Sequence, residues 1–327
     1  MEVRFPTAPR PNAPKRSELK DQAERQMIII KVYIIEFFSR HPILKSLLLW
    51  SLAAIITLLC VMYQDKTGPT YPLEGEITLC GETVSYKFQR SETIGKSLKV
   101  VLVDPVPGEV SGYVRYRRLN SDDRWADAPM KRGKFEITRR GRSEEVRGIG
   151  AELPSLRVRA GKYEYYVYLS CGDQSLSVTG EEPVIARYKG KVPSWALFIH
   201  IIVMFGSMTV AVRTLLEALV DGSYLKLVWA TVISLILGGF IFGPLVQWYA
   251  FGVWWDGFPI GYDLTDNKIL IELVFWLLAC YMNRGGRRNR GSVYLAAVLT
   301  LIVYFIPHSL LGSEYNYRSG SGRGTAG

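Results

Sequence analysis

GPLVQWYAFGVWWDGFPIGYDLTDNK, residues 243–268, lies between two long apolar runs and decides how the chain is read. It carries Trp248, Trp254, Trp255, Tyr249 and Tyr262 together with Asp256, Asp263 and Asp266, and no Lys or Arg before Lys268. Trp and Tyr concentrate where a membrane meets water, because their rings are apolar and their N–H or O–H needs a polar partner. Gly252, Gly257, Gly261 and Pro259 interrupt any long regular helix. The stretch therefore predicts a structured loop at a membrane surface, with an aromatic outer part over 249–266.

The surrounding sequence agrees. The chain has 327 residues, 48% of them hydrophobic, and a formal net charge of +10. Its apolar residues gather in five runs, each near the roughly 20 residues that cross a bilayer as a helix. The predicted spans are 43–64, 194–217, 224–248, 267–283 and 292–311, the last four within a region 193–312. Gly238-Gly239 and Gly243-Pro244 predict a kink or a close helix approach in the third span. Arg213 and Glu217, four residues apart, are expected to pair at the inner end of the second. Asp266 is expected to N-cap the fourth.

Lys and Arg set the orientation. Residues 1–42 read as a basic arm, with an interfacial helix at 27–40, and hold eight Lys or Arg from Arg4 to Arg40. Arg284, Arg287, Arg288 and Arg290 crowd the short turn between the fourth and fifth spans. Both segments belong on the cytoplasmic side. The first span then acts as an uncleaved signal anchor, and the middle region, the aromatic loop and the C-terminus fall outside. Positive charge beside membrane segments meets lipid and needs no nucleic acid to explain it. Residues 313–327 read as a flexible tail.

Residues 65–192 differ in kind. Short β-rich runs (EITL, TVSYKF, LKVVLV, GYVRYRRL, KFEITRR, LRVRAG, KYEYYVYL, SLSV and PVIARY) alternate with turn residues. That spacing predicts an all-β sandwich inserted between helices 1 and 2 of a five-helix transmembrane α bundle. In Arg159-Ala160-Gly161-Lys162-Tyr163-Glu164-Tyr165 the Gly two residues before a strand Tyr resembles the tyrosine corner of immunoglobulin-like and fibronectin-III-like domains. The resemblance makes Tyr163 the corner residue and puts Tyr165 where an antibody-type domain has its second Cys. It implies a sandwich that binds other proteins or acts as a spacer. Cys80 and Cys171 lie in this region. An immunoglobulin strand order would set their turns at opposite ends of the sandwich, beyond the about 7 Å that a bridge allows, although an outside compartment permits one. Cys60 and Cys280 lie in apolar runs and read as buried thiols.

Ionisable residues collect near the outer ends of the helices: His200, Glu272 and His308 just inside, and Asp263, Asp266 and Glu314 just above. Such residues face the interior of a bundle and often carry function. Three readings are open. His200 and His308 could ligate a b-type haem. Asp263, Asp266, Glu272, His308 and Glu314 could hold a transition metal. Or all are hydrogen-bonded groups bracing the loop against the helix ends, with His308 within reach of Asp263, Asp266 or Glu272. No nucleophile motif, P-loop or dinucleotide fingerprint is present.

GFPIGYDLTDNK and IPHSLLGSE together resemble segments of uncharacterised bacterial inner-membrane proteins. The resemblance implies a bacterial plasma-membrane location and a joint role for Asp263, Asp266, His308 and Glu314, and supplies no activity. The reading that follows is a membrane protein whose outer sandwich binds a protein partner and whose helices anchor or brace an assembly, homo- or hetero-oligomeric. The alternative is a redox or metal-dependent membrane component.

Overall fold

The computed structural model describes residues 40–139, 142–308 and 312–323, with 25, 26 and 36. Most of the expected interfacial helix at 27–40 lies outside the described residues.

Among the described residues from 40 onward, five helices accompany one β region, which lies between the first two in sequence. They are α1 (Pro42–Thr67), α2 (Ser194–Leu219), α3 (Leu225–Phe251), α4 (Leu264–Met282) and α5 (Arg290–Phe305). α1, α2 and α3 are long and apolar enough to cross a membrane. α5 is apolar but shorter, at 16 residues. α4 carries charge only at Asp266, Lys268 and Glu272, all three buried. Pro42 opens α1, where its missing N–H costs no hydrogen bond.

Small residues let the helices approach closely. Ala53, Ala211, Ala279 and Ala296 are fully buried in the core that α2 forms with α1, α3, α4 and α5. Gly238 and Gly239 act in the same way: a Cβ at Gly238 would meet Met204 Sδ at 2.7 Å, and one at Gly239 would meet Ile269 Cγ2 at 2.4 Å. The backbone of α3 widens into a π-helical segment, Ile236–Phe242, immediately before Pro244. A wider turn accommodates a proline ring that would clash with the carbonyl four residues back. The close approach expected at these glycines is present, beside the π-helical segment. Outward, the helices present Ile43, Ile55, Phe198, Ile233, Val274 and Phe305. A continuous apolar surface of this kind needs hydrocarbon or protein to cover it.

Near the C-terminal end of α2, Arg213 pairs with Glu217 at 2.5 Å as expected, and Lys45 joins Glu217 from α1 at 2.6 Å. The turn after α4 is built by Asn283, which accepts from Tyr224 Oη at 3.0 Å and donates to the Ala279 carbonyl at 2.8 Å. Asn289 caps α5 by accepting from the Ser292 N–H.

The β region runs from residue 73 to 189. β1 (Leu73–Leu79) and β2 (Glu82–Phe88) form a hairpin. β3 (Ser91–Thr93), β5 (Ser111–Arg118), β6 (Ala126–Pro129), β9 (Lys162–Cys171), β10 (Gln174–Ser177) and β11 (Val184–Lys189) form a six-stranded sheet. Its order is β3-β11-β9-β5-β6, with β10 also on β9. β4 (Leu98–Val103), β7 (Lys131–Arg139) and β8 (Arg142–Leu153) form a third sheet, ordered β4-β8-β7. One core joins all three, with Phe88, Leu98, Leu102, Leu153, Tyr165 and Tyr188 among its buried side chains. β9 alternates strictly: Tyr163, Tyr165, Val167 and Leu169 point inward, while Tyr166, Tyr168 and Ser170 are half-exposed on the other face.

Three expectations are corrected. Cys80 and Cys171 are bonded, with Cα atoms 6.0 Å apart. Leu79 pairs with Glu82, so Cys80 and Gly81 alone make the turn, both at positive φ as a type I′ turn requires. The β1–β2 hairpin is its own sheet and brings that turn to the end of β9, where an immunoglobulin order would have kept them apart. LRVRAG is a turn, with Ala160 at φ 61°, and not a strand. The expected flexible tail contains a hairpin, β12 (Glu314–Asn316) with β13 (Ser321–Arg323).

Candidate functional site: the junction between the β region and the helix ends

The aromatic loop is tied down by its aspartates. Gly252 ends α3 in the left-handed conformation, φ 81°, with its N–H on the Trp248 carbonyl at 2.9 Å. Asp263, and not Asp266, N-caps α4: its Oδ1 accepts from the Thr265 N–H at 2.8 Å. Asp266 lies one turn in, and its Oδ2 accepts from the Asp256 N–H at 2.7 Å and from Gln247 Nε2 at 3.1 Å. The Asp263 N–H returns to the Asp256 carbonyl at 2.8 Å. The loop closes on itself around these groups, and a Cβ at Gly261 would lie 2.3 Å from the Asp256 carbonyl oxygen. With the carboxylates inside, Trp254, Phe258, Ile260 and Tyr262 are left exposed on the outer surface.

The chain after α5 threads into this knot. The Ser313 N–H donates to Asp263 Oδ2 at 2.9 Å. Its hydroxyl lies 2.9 Å from Asp256 Oδ2 and 3.2 Å from Asp263 Oδ2, one proton shared between two buried carboxyls. The next residue, Glu314, leaves the helix bundle for the β region. One carboxylate oxygen takes the Lys162 ammonium and the other takes Asn120 Nδ2. The Tyr315 N–H reaches the Ala160 carbonyl at 3.0 Å, and the Tyr317 N–H reaches the Asn120 carbonyl at 3.0 Å. Burial and the neighbouring Arg187 pull the Lys162 amine below its ordinary range, while Glu314 acts in the opposite sense. Burial lowers Arg187 as well, against the attraction of Asp263 and Glu314.

A second tie lies at the linker into α2. The Gly190 N–H donates to the Ala250 carbonyl at 2.8 Å, and a Cβ there would come within 2.2 Å of the Tyr249 carbonyl oxygen. Only a glycine lets these two backbones approach so closely. Arg159 donates to the Trp248 carbonyl at 3.2 Å, and the Arg187 guanidinium lies over the Phe251 ring, 5.6 Å from its centre.

Asp263 and Asp266 are therefore joined in one network through Asp256 and Ser313, and Glu314 follows Ser313 in the chain with its carboxylate turned to Lys162 and Asn120. Glu272 lies further along α4 and accepts from Thr300 Oγ1 at 2.8 Å. His200 Nδ1 is 3.0 Å from the Gly238 carbonyl, which also accepts the Gly243 N–H within the π segment. The His308 side chain is exposed, and its backbone N–H donates to Gln64 Oε1 at 2.8 Å. The described hydrogen bonds of Asp263, Asp266 and Glu272 run to groups other than His308. Among the described residues, no group of three or more His, Cys, Asp and Glu side chains is placed to hold a metal ion. Sequence reasoning attached no site role to Asp256, Ser313, Lys162 or Asn120. Asp256 was visible as a third carboxylate in the loop, whereas Ser313, Lys162 and Asn120 gain meaning only from tertiary contact.

The chain matches no family model, no curated protein and no solved structure.

Proposed function

We propose that this chain is an integral membrane protein that crosses the bilayer five times, and that its β region, a two-sheet sandwich on the extracytoplasmic side, docks a protein partner while the helices anchor the assembly. The observation that carries the reading is the outer face of the six-stranded sheet. Tyr113 and Tyr168 stack there with ring centres 5.0 Å apart, and the Arg115 guanidinium lies over both, at 5.5 and 5.9 Å. Arg117 covers Trp125 at 4.3 Å, and Trp125 meets Tyr166 at 5.6 Å. Tyr, Trp and Arg dominate the energetics of protein interfaces, because they bury large area with few rotatable bonds. Here they are ordered before any partner arrives, which lowers the entropy lost on docking. Asp127 and Glu164 neutralise Arg115 and Arg117, so the face suits a partner of mixed charge. The Glu314 and Gly190 ties suit the bracing role, since they fix the β region to the helix ends.

A photo-crosslinking residue at Trp125 or Tyr168 of the full chain, in its native membrane, should give one discrete adduct. The same residue at exposed Glu109 should give none. A monomeric protein with no adduct from either sheet position would remove the partner reading. Membership of the outer side is read separately: a membrane-impermeant thiol reagent should label Glu109→Cys in intact cells and Arg287→Cys only after permeabilisation. Equal labelling of Arg287→Cys without permeabilisation would overturn the five-crossing topology.

A further inference from the structure

A cleft of about 380 Å³ opens between the turn 157–160 and the C-terminal end of α3. We propose that it binds the phosphate of an anionic phospholipid, in the leaflet that the aromatic loop faces. Arg157 and Arg159 stand at its mouth, both exposed. Arg157 has no ion pair or hydrogen-bond partner among the described residues. Arg159 donates one Nη1 proton to the Trp248 carbonyl. That bond fixes the guanidinium against α3 and leaves other donors of its five for an oxyanion. Each guanidinium is by itself a planar fork of donors of the kind that phosphate accepts.

Part of the remaining wall is apolar, and that part distinguishes a lipid from a dissolved anion. Phe251 and Val253 line the cleft. Trp248, whose backbone carbonyl holds Arg159, stacks its ring on Trp254 at 5.4 Å, with Trp254 55% exposed. An acyl chain leaving a phosphate in the cleft meets the apolar side chains Phe251 and Val253, while inorganic phosphate gains nothing from them. Asp256 also contributes to the lining, but it is only 1% exposed, and its Oδ2 is held by the Ser313 hydroxyl. The inference rests on the helices crossing a bilayer and not on the partner face of the sheet.

The full chain, purified in a mild non-ionic detergent, should be offered phosphatidylglycerol, phosphatidylcholine or inorganic phosphate. Retained lipid is read by native mass spectrometry and stabilisation by thermal melting. Phosphatidylglycerol should be retained at least about tenfold over phosphatidylcholine, a difference of about 1.4 kcal/mol. Arg157→Glu should abolish that preference while melting as the wild type does without lipid, since Arg157 supports no described contact. Arg157→Gln/Arg159→Gln should match it. Undiminished preference in Arg157→Glu, or equal retention of the two lipids by the wild type, overturns the proposal. Equal stabilisation by inorganic phosphate at the same concentration also overturns it, assigning the cleft to a soluble anion. Crosslinking at Trp125 reports on the partner face whatever the lipid result, so the two readings fail separately.

Discussion

Lys162 in β9 and Glu314 in β12 form an ion pair across 152 residues of sequence, with both side chains buried. It joins the β region to the segment that has just left α5 and passed through the aspartate knot. A buried pair contributes little net stability, because desolvation offsets attraction, but removing one partner strands the other. Glu314→Gln or Lys162→Met alone should each destabilise the β region by about 3–5 kcal/mol. The double substitution should cost clearly less than the sum. Chaotrope unfolding of the full chain in detergent, followed through the β-region tryptophan Trp125, measures the cycle. Strictly additive effects would mean that the pair does not couple the two regions.

The bridge between Cys80 and Cys171 makes a second prediction. It closes a loop over a sequence separation of 91 residues. Constraining an unfolded chain over that length stabilises the folded state by about 4–5 kcal/mol in the chain-entropy treatment. Cys80→Ser/Cys171→Ser should therefore lower the melting temperature of the β region without altering the helices. Reductant should lower the wild type to the same point and leave the double variant unchanged. A variant that still responds to reductant would point to chemistry elsewhere, although Cys60 and Cys280 are both free and buried.

These two cross-links also mark where the sequence stopped being legible. The five apolar runs identified the helices, because hydrocarbon-facing residues announce themselves along the chain. α4 was misread at its cap by three residues: Asp263 and Asp266 are both capping residues by type, and the helix begins at Leu264, so that Asp263 takes the cap and Asp266 already lies inside. β8 was missed because RSEEVRGIGAEL places charges and two glycines where a strand would show alternation. Those glycines are needed, since a Cβ at Gly148 would lie 2.0 Å from the Leu102 carbonyl oxygen. The C-terminal hairpin was hidden by its polar, Gly-rich composition. Its order comes from Asn120, Ala160 and Lys162, which only folding brings near. Among the described hydrogen bonds none comes from the Tyr163 hydroxyl, whereas Tyr165 donates its hydroxyl to the Gln89 carbonyl at 3.1 Å, 76 residues away in sequence.

The tyrosines of the β core give a pH prediction. Burial, reinforced by neighbouring phenols, raises Tyr163 to about 12, and burial raises Tyr317 to about 12. Unfolded tyrosines ionise near about 10. Groups raised in the folded state contribute stability that is complete below the unfolded value and is lost as pH rises through the folded one. The β region should thus hold its full stability up to about pH 10 and lose it progressively toward about pH 12. The tyrosinate ultraviolet band should rise in two stages, exposed tyrosines first and the core only with unfolding. Tyr163→Phe should flatten the alkaline loss. A single titration at the ordinary value would contradict this account.

The last prediction concerns Thr300, which holds two buried polar groups at once. Its hydroxyl accepts from Trp276 Nε1 at 2.9 Å and donates to Glu272 Oε1 at 2.8 Å. Glu272 and Trp276 lie one turn apart on α4 and are fully buried, and Thr300 faces them from α5. Glu272 Oε2 has no hydrogen-bond partner among the described residues, so Oε1 carries the one described bond of that carboxyl. Thr300→Val keeps the shape and removes both bonds together. Each orphaned buried group costs about 1–3 kcal/mol, more where it is charged. The single substitution should therefore destabilise the α4–α5 pair by roughly 2–6 kcal/mol, the sum of two such losses. Replacing the stranded groups as well, in Thr300→Val/Glu272→Leu/Trp276→Phe, removes the unmet hydrogen bonds and should recover most of that loss. Glu272→Gln with its amide oxygen toward Thr300 keeps the acceptor and should change stability by under about 1.5 kcal/mol, the worth of one ordinary hydrogen bond. Unfolding of the full chain in mixed detergent micelles ranks the variants. If the triple variant is weaker than Thr300→Val alone, the three side chains do not form the closed polar unit that their distances describe.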